Sequence, residues 1–128
     1  MHYENEKDYI MRMIKEATRV LFTLLSGKKY THIELPQENK YEVSGNKLDV
    51  YKEMADQGNI NEAENILLEN IDYNNKDEVI AAVFFYQYIS NKGDSFLRQN
   101  NYSEEEVYEG LKELARKAGY ENTNSILE

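Results

Sequence analysis

Cysteine is absent from the 128 residues, which excludes a disulfide framework, a thiol nucleophile and a thiolate zinc site. That absence fits a reducing cytoplasm better than a small secreted fold. Tryptophan is also absent, histidine occurs twice and proline once. His2 lies in the opening segment and His32 in a stretch without helical period. Neither has a second ligand at helical spacing, so histidine-based metal binding or acid–base catalysis is not expected. No phosphate-cradling glycine loop, Gly-x-Ser-x-Gly elbow or Asp-x-Asp-x-Asp-Gly calcium loop occurs. An enzyme is therefore not the expected class, and no cofactor is implied. Long apolar runs are missing too. The longest nearly apolar stretch, Val20 to Leu25, is far below the ~20 residues a membrane span requires. The opening, Met1 to Glu6, is acidic where a secretion leader would be basic.

Basic charge is in deficit. Fifteen Lys and Arg face 24 Asp and Glu, for a net charge of −9. A field of that sign repels phosphates and anionic lipid, so nucleic acid and membrane surfaces are not the expected partners. The charge is uneven, however: residues 1–30 hold six basic and four acidic residues, leaving −11 on residues 31–128. Leu, Ile, Val and Phe number 30 of 128, enough for one folded domain with a lean core.

Helical periodicity dominates what is present. Ile10, Met13, Ile14, Ala17, Leu21, Leu24 and Leu25 follow the spacing of an amphipathic helix over 9–26, with Arg12, Lys15, Glu16 and Arg19 opposite. This helix can pack on its own domain or associate with a second copy. Residues 28–45 have no helical period and contain Pro36. They read as an extended linker, with a weak strand-like alternation at 31–35. From Asn46, a plausible cap, Leu48, Tyr51, Met54 and Ala55 share a face. Asn61 and Glu64 have capping-box spacing ahead of Ile66, Leu67 and Ile71. Asn74 or Asn75 caps a fourth helix from Lys76 to about Asn91, apolar all round from Val79 to Tyr86, as only a central helix would be. A short helix after Gly93 holds Phe96 and Leu97. A sixth is capped by Ser103 and carries Val107, Leu111, Leu114, Ala115 and Ala118 to Gly119, and residues 120–128 form a tail. Four of six glycines (Gly27, Gly58, Gly93 and Gly119) fall where a helix should end. The expected fold is all-α: one compact bundle of about six helices over 1–128.

Within 46–71 the stretch from Ala55 to Asn75 resembles the second half of a tetratricopeptide repeat, with Gly58, Ala63 and Leu67 at the turn and hairpin-packing positions. The resemblance implies a helical hairpin and a tetratricopeptide-like region over 46–119. Tyr51 departs from it, being large where a small residue is usual. A 35-residue shift aligns Leu48, Tyr51, Met54 and Gly58 with Val83, Tyr86, Ile89 and Gly93, but sets Arg98 on Ala63. The whole chain is also similar to a family of short bacterial proteins classed only as a domain of unknown function. The residues that carry this are Asp8-Tyr9-Ile10-Met11-Arg12, the Gly-x-Ile-x-Glu-Ala-Glu hairpin from Gly58 and the Ser-x-Glu-Glu-x-x-x-Gly-Leu ending from Ser103.

Tyrosine is the abundant aromatic, with eleven copies. Tyr73, Tyr86, Tyr88, Tyr102 and Tyr108 cluster in the second half, where their area and polar tips suit a protein- or peptide-binding surface. The expected function is a cytoplasmic protein–protein interaction or scaffold module with a protein or peptide partner. The alternative is a homodimer formed through helix 9–26, whose apolar residues would then be buried only in the dimer.

Overall fold

The computed structural model describes residues 2–27, 42–43 and 46–120, with side chains from Tyr9 onward. The described elements are α1 (His2–Ser26), β1 (Glu42–Val43), β2 (Asn46–Lys47), α2 (Leu48–Asp56), α3 (Ile60–Glu69), α4 (Lys76–Ser90), α5 (Asp94–Gln99) and α6 (Glu104–Lys117). The fold is all-α, with six helices and one two-stranded sheet among the described residues. No described helix is long and apolar enough to cross a membrane.

The apolar composition of α4 puts it at the centre. Eleven of its fifteen residues are buried, from Val79 to Gln87 without a break. α1, α2, β1 and α6 all pack on it. Phe85 sits edge-on to Tyr51 and to Tyr86, at 6.5 and 5.7 Å between ring centroids, and Phe84 meets Phe22 of α1 at 5.8 Å. α1 packs on α4 and α6, burying Ile14, Ala17, Leu21 and Leu25 and leaving Ile10 and Met13 half-buried. Leu24 remains 38% exposed. The stripe is therefore covered within one chain, which goes against the alternative in which it is buried only in a dimer.

Several boundaries differ from the sequence expectation. α1 begins at His2 rather than residue 9. The supposed linker contributes Glu42–Val43, which pairs antiparallel with Asn46–Lys47. Asn46 is therefore a strand residue and not a cap, and Lys47 precedes α2 with no side-chain cap bond. The reason is Tyr51: fully buried, it donates its hydroxyl to the Val43 carbonyl (2.8 Å), pulling the preceding chain back over α2. A small residue, as in the tetratricopeptide pattern, could not do this. The linker over 28–41 with its strand-like 31–35, and the tail beyond Tyr120, lie outside the described residues.

The α3 cap also differs. α3 starts at Ile60, and Asn59, at its head, makes no side-chain cap bond. Asn61 instead donates its amide to the Asn101 carbonyl (3.1 Å). At α4 and α6 the caps stand as expected. Asn75 accepts from the Asp77 N–H (3.0 Å), and Ser103 from the Glu106 N–H (3.1 Å) while donating its hydroxyl to the Glu106 carboxylate (3.2 Å). Ala63 and Leu67 are fully buried in the α2–α3 hairpin. Gly58 turns it at φ +90°, where a β-carbon would stand 2.4 Å from Asn100 Oδ1.

Candidate functional site

Three of the five clustered tyrosines are buried, which corrects the expectation of one tyrosine-covered surface: Tyr86 is fully enclosed, Tyr102 is 3% exposed and Tyr108 5%. Tyr73 and Tyr88 are half-buried and apart in their partnerships. Tyr73 lies under the Lys117 ammonium (5.7 Å). Tyr88 lies under Lys52 (4.7 Å) and Lys92 (5.1 Å), and donates its hydroxyl to Asp56 (2.6 Å). Lys92 also pairs with Asp56, and these two partners hold the Asp56 carboxyl below its ordinary range. This network clamps α2 to the end of α4.

Tyr86 and Tyr102 converge instead. α4 sends Tyr86 and the α5–α6 turn sends Tyr102 toward one acceptor on α3, Glu64 Oε2, at 2.6 and 3.0 Å. Burial, reinforced by the carboxylate, pushes both phenols far above their ordinary range, so they remain protonated donors. Glu64 Oε1 accepts nothing from a described residue. The Tyr86 ring reaches this position by crossing α6 at Gly110, where a β-carbon would stand 2.5 Å from the ring.

Above these groups lies an open cleft of about 350 Å³ between α3 and α6, lined by Glu64, Leu68, Tyr86, Tyr102, Glu106, Glu109, Gly110 and Glu113. Its lining holds four carboxylates and no basic side chain, which favours a cation. Glu113 pairs along its own helix with Arg116, while Glu109 makes no ion pair among the described residues. Glu106 combines its capping role with a place on the rim. Among the described residues no cluster of His, Cys, Asp or Glu has metal-binding geometry; His32 lies outside them, and nothing is described of the His2 side chain.

Glu64 and Gly110 are the residues that helical periodicity does not single out. Gly110 does carry a signal: it is a glycine inside a helical pattern that it does not end, a position that usually has a packing reason. Glu64 carries a local signal for a different role, the capping-box spacing after Asn61, while the partners it takes are 22 and 38 residues away.

Fold and cleft together define a small all-α domain with a carboxylate-rich groove floored by tyrosine. The chain belongs to DUF6483, a family of unknown function whose match covers residues 4–119. Comparison with curated proteins and with solved structures gives no match.

Proposed function

We propose that this chain is a protein-interaction module, and that the α3–α6 cleft receives a basic segment of its partner. The observation that carries this reading is the Glu64 carboxylate, held by two buried phenols through one oxygen while the other accepts from no described residue. An anchored acceptor loses little freedom on binding, so an incoming ammonium or guanidinium meets preset geometry. The rim carboxylates Glu106, Glu109 and Glu113 add attraction and speed encounter.

A tetratricopeptide-like origin is part of the same proposal. Under the 35-residue shift, Gly58 and Gly93 share left-handed backbone (φ +90° and +94°), and Tyr51 and Tyr86 are both fully buried. Exposed Arg98 against buried Ala63 marks where the second unit has diverged. Neither the module reading nor the cleft requires catalysis.

The test is fluorescence anisotropy with two labelled helical peptides of equal length, one carrying Lys and Arg and the other Glu on the polar face. The basic peptide is expected to bind, and Glu64→Gln with Glu109→Gln to weaken it by roughly tenfold. Equal binding of both peptides, or none of the basic one, would overturn the reading.

A further inference from the structure

The polar side of α1 carries Arg12, Lys15 and Arg19, all exposed. The cleft side of α6 carries Glu106, Glu109 and Glu113, also exposed. Both rows step by three residues and then by four. At ~1.5 Å rise per residue, each therefore places its charges at about 0, 4.5 and 10.5 Å along its helix axis. One helix is a charge template of the other.

Resting on the reading of the cleft as a seat for a basic segment, we propose that its partner is a second copy of this chain. The Arg12–Lys15–Arg19 row of one copy lies along the Glu106–Glu109–Glu113 row of another. Within one chain these rows do not serve each other: α1 faces α6 through its apolar stripe, and no ion pair joins the two rows among the described residues. Arg12 and Lys15 have no ion pair among the described residues, and Arg19 pairs only with Glu16 on its own helix. Glu113 likewise pairs along its helix with Arg116. Exposed pairs of this kind contribute about 0–1 kcal/mol and exchange readily for a new partner. The remaining cations of α6 are engaged elsewhere, Lys112 over the Tyr108 ring (5.4 Å) and Lys117 over that of Tyr73. From residue 8 onward this face of α1 sets Arg12, Lys15 and Arg19 against Asp8 and Glu16, a net +1.

Net charge sharpens the choice of contact. Two bodies of −9 repel each other over most of their surfaces, so copies associate only where a basic face meets an acidic one. Every copy carries both halves of the match. The contact therefore closes as a pair or continues head to tail, and the measured mass tells which.

The experiment is light scattering on the full chain over a concentration series at physiological salt. It uses wild type, a basic-row variant (Lys15→Glu with Arg19→Glu), an acidic-row variant (Glu109→Lys with Glu113→Lys) and the four-substitution chain. All substitutions are on exposed positions and leave the Ser103–Glu106 cap intact, and far-ultraviolet circular dichroism verifies folding. Wild type is expected to associate, and each two-substitution variant to lose at least about tenfold in association constant. An equimolar mixture of the two variants, and the four-substitution chain alone, are expected to regain it. A wild type that stays monomeric, or association indifferent to reversal, overturns the proposal. The basic peptide assay then reports separately on the cleft: peptide binding by a monomeric wild type sinks the self-association and leaves the module reading standing.

Discussion

Tyr86 of α4 fills the space that a side chain at Gly110 of α6 would need, its ring atoms standing 2.5 Å from where the β-carbon would be. Alanine is the better helix former by up to about 1 kcal/mol, yet overpacking a fitted contact costs about 1–3 kcal/mol. Gly110→Ala is therefore expected to destabilise, by up to about 2 kcal/mol in urea unfolding. The loss should shrink when Tyr86→Leu is already present, because the two positions share one contact. Additive effects would show that the ring moves aside freely.

Removing the acceptor should cost more than removing a donor. Glu64→Ala leaves two buried phenols without their acceptor and is expected to cost about 2–4 kcal/mol, against about 1 kcal/mol for Tyr102→Phe. Glu69→Ala, exposed one helical turn and a residue further on, should stay within about 0.5 kcal/mol. Chemical denaturation of the three variants makes the comparison.

Alkaline pH should unfold the chain through the same tyrosines. Their folded ionisation lies far above the ordinary value of about 10 found in an unfolded chain. Groups raised in this way contribute stability that is fully present below pH ~10 and is lost as pH rises further, because only the unfolded state releases the proton. Stability measured by denaturation should fall steadily above pH ~10. In an ultraviolet titration two phenols should ionise only with unfolding, and Tyr86→Phe with Tyr102→Phe should abolish that late step.

The caps give a paired prediction. Ser103→Ala and Asn75→Ala each remove a side-chain acceptor from a helix start and should cost about 1 kcal/mol. Asn59 makes no such bond, and Asn59→Ala should change stability by a few tenths at most. Thermal melts of the three variants suffice to check this.

These caps also show what was readable in the chain. Where a helix start satisfies its own N–H groups locally, as at Ser103 and Asn75, residue type and spacing are enough. So too for α4, whose unbroken apolar run announces a central helix, and for the positive-φ glycines at helix ends. Asn46 and Asn61 had the same credentials and failed because distant groups compete. Tyr51 draws Glu42–Val43 against Asn46–Lys47 in a ladder, and Glu64 is taken by two tyrosines rather than by its own helix. The tyrosines misled for a related reason: an amphipathic ring declares a preference for a boundary, not which side of it is water. Tyr86 and Tyr102 turn their polar tips to a carboxylate that only the fold brings near.

The position of α1 against α6 has a consequence for synthesis. Of the described helices α1 leaves the ribosome first, but α6, which forms part of its seat, leaves last. Until then Ile14, Leu21 and Leu25 have only part of their cover, and the nascent chain carries an adhesive stripe until α6 is made. The earliest described helix to emerge thus waits for the latest described one before it is fully housed, and chaperones can reach its stripe for the whole of that interval.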